Sequence, residues 1–196
     1  MTLSEAEVRS QKVDELRSQG IEPYPSQSYA RSHTAQQVRE IFSQPEKELQ
    51  NGETDPEEIS LRVGGRITSK RDSGSICFID LKDATDKIQL KIEKKIVTGE
   101  IGLSFKQIQK LLDIGDFVGV EGIGCRTPRG ELSILVREFT LLSKATIQFP
   151  DAYYGINDPE VCRRHREMDL ASNQDAFNRF MLRSRIVKSI RSYLWK

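Results

Sequence analysis

LRVGGRITSKRDSGSICFIDLKDATDKIQLKI, residues 61–92, alternates apolar and polar side chains in three short runs separated by two turns. Successive side chains of a strand point to opposite faces, so this alternation sorts the residues by side. In the second run Cys77, Ile79 and Leu81 share one face, and Ile76, Phe78 and Asp80 the other. In the third, Ile88, Leu90 and Ile92 face one way, with Lys87, Gln89 and Lys91 opposite. If the aliphatic face packs inward, Phe78 and Gln89 stand outside. A ring among amides and cations on an exposed sheet suits single-stranded nucleic acid. Bases stack on the ring, an amide reads their edges, and cations follow the phosphates.

What surrounds this stretch completes a barrel. Ser104 can cap a helix whose Phe105, Ile108, Leu111 and Leu112 fall at helical spacing. Residues 116–124 and 131–142 then read as two strands joined by the turn Arg126-Thr127-Pro128-Arg129-Gly130. Three strands, a helix and two strands form the order of a five-stranded OB-fold (oligonucleotide-binding) β-barrel, with an SH3-like barrel or a sandwich fragment as structural alternatives. Phenylalanines 105, 117, 139, 177 and 180 are expected in cores rather than as stacking platforms.

Upstream, Ser4 with Glu7 makes a capping box for a helix through about Gln19, with Gly20 at the C-terminal cap position. Ile21-Glu22-Pro23-Tyr24-Pro25 must be extended, because each proline excludes its predecessor from helix. Thr34 with Gln37 opens a second, short helix with Val38, Ile41 and Phe42 on its apolar face. Residues 44–58 turn polar, acidic and proline-bearing, and read as a loop or insertion without assigned function. Downstream, residues 146–171 read as a hinge, and from Ser172 a long helix carries Phe177, Phe180, Met181, Val187, Ile190 and Leu194. The domain scheme is therefore 1–58 helical extension and loop, 59–145 barrel, 146–171 linker, and 172–196 the start of a further domain.

Composition narrows the function classes. The 196 residues carry 30 Lys and Arg against 29 Asp and Glu, a net charge of +1. The charge is uneven: residues 1–60 hold 6 basic and 12 acidic groups, residues 61–95 hold 9 and 5, and residues 163–196 hold 9 and 3. The basic excess thus falls on the sheet and the C-terminal segment, as a nucleic-acid partner requires, although a solvated surface gives the same bias. No run of eighteen apolar residues and no signal-peptide pattern is seen, so a cytoplasmic location is the default expectation. Cys77, Cys125 and Cys162 form no CxxC pair and indicate neither a disulfide framework nor a metal site. Walker A, HExxH and GxSxG motifs are absent from the sequence.

Short strings in order along some 170 residues resemble the N-terminal part of class II lysyl-tRNA synthetases. Asp14-Glu15-Leu16-Arg17-Ser18-Gln19-Gly20-Ile21-Glu22-Pro23-Tyr24-Pro25 is similar to that family's opening helix and its following turn. Val63-Gly64-Gly65-Arg66-Ile67 with Ser69-Lys70-Arg71 resembles the first strand of its anticodon-binding barrel, and Gly130-Glu131-Leu132-Ser133-Ile134 with Leu141-Leu142-Ser143-Lys144-Ala145 its last. Tyr154-Gly155, Asp158, Glu160, Arg163, Arg166 and Asp169-Leu170 resemble the entry to the catalytic domain, and Phe177, Arg183-Ser184 and Ile190-Arg191 the first helix of motif 1. The chain departs from the family at residues 163–170, where an aromatic-rich string is usual, and in the composition of residues 44–58. Aspartyl and asparaginyl synthetases share the barrel and its Phe and Gln positions; the residues 14–25 favour lysine.

The resemblance implies an α+β protein in which the OB-fold is followed by the first part of a class II catalytic domain. It implies a lysine–tRNA ligase that uses ATP and Mg²⁺ and works as a homodimer, with lysine tRNA as partner. The ATP-binding motifs 2 and 3 do not occur in these 196 residues, so this piece is expected to be catalytically inert and to contain no catalytic residue. Its implied task is to hold the uridine-rich anticodon: Phe78 stacking under the central base, Gln89 and Glu131 reading uracil, Arg71 donating to a base or phosphate. Arg66 is either a phosphate contact or a strand-edge ion-pair partner. A non-enzymatic OB-fold module binding single strands with little sequence preference is the alternative.

Overall fold

The alternation in residues 61–92 becomes three antiparallel strands: β1 (Leu61–Ser73), β2 (Ile76–Lys82) and β3 (Lys87–Glu93). Cys77, Ile79, Leu81, Ile88, Leu90 and Ile92 are all buried on one side, and Phe78, Asp80, Gln89 and Lys91 are half-buried on the other. β4 (Phe117–Arg126) and β5 (Leu132–Ser143) follow. The strands close in the order β1-β2-β3-β5-β4 and back to β1. Closure depends on a short parallel pairing of β3 with β5, Gln89 opposite Ser133 and Lys91 opposite Leu135. That connection separates the OB arrangement from an open sandwich. The structure, a computed structural model, describes residues 4–97, 99, 102–147 and 158–195.

Three helices seat on this barrel through side chains spaced to share a face. α1 (Glu5–Ser18), α2 (Ala35–Phe42) and α3 (Phe105–Leu111) each begin at a complete capping box, at Ser4, Thr34 and Ser104. Leu16 from α1, Ala35, Val38 and Phe42 from α2, and Phe105, Ile108 and Leu111 from α3 join the barrel core. The expected division between residues 1–58 and 59–145 is therefore absent from the packing: both lie in one compact unit, Met1–Gln148. A two-helix extension of this size has too little apolar surface to fold apart.

The 44–58 segment is a loop, as expected, and it is packed against the barrel. Leu49 and Asp55 are both 5 % exposed. Gly52 N–H donates to Arg126 O, Arg126 N–H to Glu53 O, and Asp55 N–H to Gly124 O, at 2.8–3.0 Å. The segment covers the end of β4 beyond its pairing with β1, which would otherwise present an open strand edge. Its polarity hid this role, because the pairing with β4 is made by main chain and only Leu49 adds an apolar side chain to the core.

The second unit, Phe149–Lys196, contains α4 (Pro159–Arg164), α5 (Arg166–Ser172) and α6 (Gln174–Leu194). Residues 159–172 are thus helical rather than a hinge, with Asp158 capping α4 and Pro159 at its first turn. Asn173 caps α6. Tyr154, Gly155 and Pro150 lie outside the described residues. Two of the phenylalanines expected in cores are exposed: Phe117 at the start of β4 and Phe180 on α6, at 38 % and 37 %. Phe105 and Phe139 are buried, and Phe177 is half-buried.

Candidate nucleic-acid interface

On the outer face of β2 and β3, Phe78, Arg71, Gln89 and Glu131 line one open cavity of about 790 Å³. Strand register explains why they meet. Arg71 lies opposite Phe78 across β1 and β2, Phe78 opposite Lys91 and Asp80 opposite Gln89 across β2 and β3, and Gln89 opposite Ser133 across the closure. Glu131 stands two residues before Ser133, at the mouth of the β4–β5 hairpin.

That hairpin is closed by hydrogen bonds of its own. Gly130 N–H donates to Thr127 O at 2.8 Å, with Pro128 at the second turn position and Gly130 at φ +87°. Thr127 N–H donates to Glu131 O, and the Thr127 hydroxyl accepts from Glu131 N–H. Arg126 closes it with a bond to Gly130 O at 2.9 Å. Pro128 and Arg129 are thereby exposed against the cavity.

The polar groups of the cavity fall into two sets. Asp80 lies 3.4 Å from Lys87 Nζ and 3.9 Å from Arg71 Nη2, so the carboxylate sits between two cations without a close bond to either. Gln89 is fixed instead: the buried Ser133 hydroxyl donates to its Oε1 at 2.8 Å. With the amide oxygen held there, the Gln89 NH₂ is the group left for a ligand. Beside it, the Glu131 carboxylate is acceptor-only when ionised, and its side chain is 52 % exposed.

Arg66 does not join this group. Its guanidinium lies 4.4 Å over the Phe117 ring, and burial lowers its pKa. Lys91 is also outside the cavity lining, bonded to Glu93 at 2.8 Å, a contact that holds the Glu93 carboxyl below its ordinary range. Asp80, Arg129 and Ser133 were not among the expected site residues. Asp80 shares the outward parity of Phe78 and was legible on that ground. Arg129 belongs to a recognised turn. Ser133 is decided by the barrel closure, which leaves no local mark.

Other reactive groups are otherwise engaged. Burial pushes the Cys77 thiol up to about 12 and the Cys125 thiol to about 11, so both stay protonated at neutral pH. His33 Nδ1 is 2.7 Å from the Ser32 hydroxyl, and His165 Nδ1 is 3.4 Å from Glu167, so both histidines have near partners. Among the described residues no cluster of His, Cys, Asp or Glu could hold a metal ion, and no helix is long and apolar enough to cross a membrane.

Comparison with known proteins agrees with this geometry. Residues 61–142 match the model of the OB-fold nucleic acid binding domain, the tRNA anticodon type. A chloroplastic/mitochondrial lysine–tRNA ligase of Arabidopsis thaliana is 38 % identical over 185 residues, 94 % of this chain and 29 % of the relative. The lysine–tRNA ligases of Pediococcus pentosaceus and Lactococcus lactis subsp. cremoris are 39 % and 38 % identical over 187 residues, 95 % of this chain and 36 % of each relative. The chain thus spans about a third of the length of the curated relatives it matches. Residues 61–142 thus match an OB-fold nucleic acid binding domain, and nearly the whole chain is similar to a part of lysine–tRNA ligases.

Proposed function

We propose that the β2–β3 cavity holds the uridine-rich anticodon of lysine tRNA on behalf of a lysine–tRNA ligase. The observation that carries this reading is the meeting of Phe78, Gln89 and Glu131 around one cavity on the outer face of a closed OB barrel. Phe78 offers a half-buried ring on which the central base stacks, a contact of about 1–3 kcal/mol. The Gln89 NH₂, oriented by Ser133, donates to uracil O4, and the Glu131 carboxylate accepts the uracil N3–H. Cytosine presents the opposite pattern, an amino group at position 4 and an unprotonated N3. It would leave Gln89 facing a donor and Glu131 facing an acceptor, each unmade bond costing about 1–3 kcal/mol. Arg71, Lys87 and Arg129 supply positive charge for the phosphates around that base.

The wider activity follows from the same reading. In the complete ligase, lysine and ATP with Mg²⁺ would form lysyl-adenylate, and lysine would pass to the terminal adenosine of the tRNA. No step of that chemistry is assigned to the described residues. A homodimer and a cytoplasmic setting belong to the same proposal.

Titration of the chain with anticodon stem-loops carrying UUU, UCU and CCC tests it. The expected result is binding of UUU at least about 10-fold tighter than UCU, the consequence of two mismatched hydrogen bonds. Equal affinity for UUU and CCC would reduce the protein to a single-strand-binding module without sequence preference.

A further inference from the structure

α2 lies outside the matched OB domain, yet one of its side chains reaches the rim of the cavity. The helix is fixed at both ends. At its N-terminus, Ala35 N–H donates to Asp83 Oδ2 at 2.9 Å and Gln36 N–H to the Thr85 hydroxyl at 3.2 Å, so the β2–β3 turn serves as a second cap. At its C-terminus Phe42, 1 % exposed, fills the space over Gly124, where an added Cβ would come within 2.2 Å of the ring. Between these anchors Arg39 emerges beside the buried Val38.

The Arg39 guanidinium joins both sides of the cavity. Nε and Nη2 both donate to Lys87 O, at 3.0 and 2.7 Å; Nε also lies 2.9 Å from Asp86 Oδ2, and Nη2 3.8 Å from Glu131 Oε1. Their place in the register gives this meaning. The β3–β5 pairing that closes the barrel begins at Gln89 opposite Ser133, and Lys87 and Glu131 stand two residues before each of these. Arg39 thus bridges the two chains one step past the end of the ladder, where Glu131 leaves the sheet.

We infer that Arg39 is a positioning residue for base discrimination: it ties the β2–β3 turn to the β4–β5 hairpin and keeps the Glu131 carboxylate directed along the cavity. The inference rests on the anticodon reading above. Arg39 does not touch the base. Its two bonds to Lys87 O and its contact with Asp86 hold the guanidinium in place, while the 3.8 Å spacing leaves Glu131 able to turn to an N3–H without breaking a short ion pair. Lysine cannot do this, having one ammonium point charge in place of a planar fork. Through Arg39, the N-terminal helices become part of the recognition site instead of an appendage to it.

A double-mutant cycle on discrimination tests the inference, with Arg39→Gln, Arg39→Lys, Glu131→Gln and Arg39→Gln/Glu131→Gln titrated against UUU and UCU stem-loops beside thermal melts. Arg39→Gln is expected to keep the fold and to reduce the UUU-over-UCU preference about 5–10-fold, the scale of one charge-assisted contact. Arg39→Lys should fall between it and the parent chain. Added to Glu131→Gln, Arg39→Gln should reduce the preference little further, because both act through one carboxylate. Independent, multiplying losses would overturn the inference, as would an Arg39→Gln chain that discriminates like the parent. If Arg39→Gln unfolds, Arg39→Lys decides: an unchanged preference overturns the inference and a reduced one supports it. A parent chain that fails to separate UUU from UCU overturns the anticodon reading itself. A discriminating parent with a relaxed Glu131→Gln and an unaffected Arg39→Gln removes only Arg39.

Discussion

Two groups of charges in the barrel unit contain the same chemistry and are built differently. In the inner one, Lys144 Nζ lies 2.7 Å from Asp113 and 3.0 Å from both oxygens of Asp116, and the side chains of Lys144 and Asp116 have no exposure at all. Asp116 also accepts the N–H of Asp113 and of Ala145, and Lys12 from α1 completes Asp113. In the outer one, around the cavity, Asp80 stands 3.4 and 3.9 Å from its cations and Glu131 3.8 Å from Arg39. An unmet charge in the interior is expensive, so there both oxygens of the buried Asp116 accept two hydrogen bonds each. Outside, water answers for the missing contact, and a ligand can take its place. Full satisfaction marks a structural cluster, and loose pairing at a cavity marks a binding one.

The largest effect expected from that contrast comes from the inner group. Lys144→Met leaves the buried Asp116 without its own cation, Lys12 reaching only Asp113, and removal of one partner from a buried pair costs about 3–5 kcal/mol. Burial already raises the Asp116 carboxyl against the opposing pull of Lys144, and the substitution removes that pull. Chemical denaturation should show the loss, while the molecules still folded keep the parent's preference among stem-loops. An unchanged denaturation midpoint would mean that the inner group is not held by its charges.

The outer group predicts the reverse pattern. Phe78→Ala should weaken binding of a UUU stem-loop by about 1–3 kcal/mol and leave the melting temperature nearly unchanged. Its neighbours Cys77 and Ile79 carry the burial, both at 0 % exposure. If Phe78→Ala instead unfolds the chain and the residual binding stays at the parent's level, Phe78 belongs to the core and the contrast collapses.

How much of this was legible in the sequence follows from the range of each interaction. The faces of β2 and β3 could be read because a strand's alternation is local, and two capping boxes and the Ser104 cap could be read because each spans at most four residues. The outward placement of Phe78 and Gln89 was read from parity alone. Glu131 needed the family resemblance, since a glutamate at a hairpin mouth carries no signal by itself. Ser133 and Arg39 were invisible. They act across 44 and 48 residues of sequence, through a barrel closure and a helix docking that only the folded chain reveals. The packing role of the 44–58 loop was hidden for a related reason: it pairs with β4 through main-chain bonds, and composition reports side chains.

Between the two groups stands the Asp83 turn, which ties α2 to the barrel. Burial raises the Asp83 carboxyl, but the bonds from the Thr85 hydroxyl and from the N–H groups of Ala35, Asp86 and Thr85 outweigh it and hold it below its ordinary range. A carboxyl depressed on folding adds stability above its unfolded pKa, and that stability is lost as pH falls through the folded value. Asp83→Ala should therefore cost about 0.5–2 kcal/mol at neutral pH, the usual scale for a lost cap. Its melting temperature should also decline less than the parent's as pH drops below the ordinary carboxylate range. Parallel curves for the two proteins would show that the turn is held by its backbone alone.

The smallest effect separates two lysines on the same sheet face. Lys87 lines the cavity, with its Nζ 3.4 Å from Asp80, whereas Lys91 is spent on Glu93 at 2.8 Å. A cation free to meet a phosphate releases a counterion when the strand binds; one already neutralised by a carboxylate releases little. Lys87→Gln should weaken every stem-loop alike, UUU and UCU included, and make the slope of log affinity against log salt shallower by about 0.7, the value for one phosphate of a single strand. Lys91→Gln should change the slope less, because its charge is cancelled by Glu93 before the strand arrives. Titrations of both variants across a series of salt concentrations give the two slopes directly. A larger change for Lys91 than for Lys87 would mean that the Glu93 pair opens on binding, so that tightness of an ion pair in the free protein does not mark a group as structural. The contrast between closed and open charge clusters would then hold only for the buried interior.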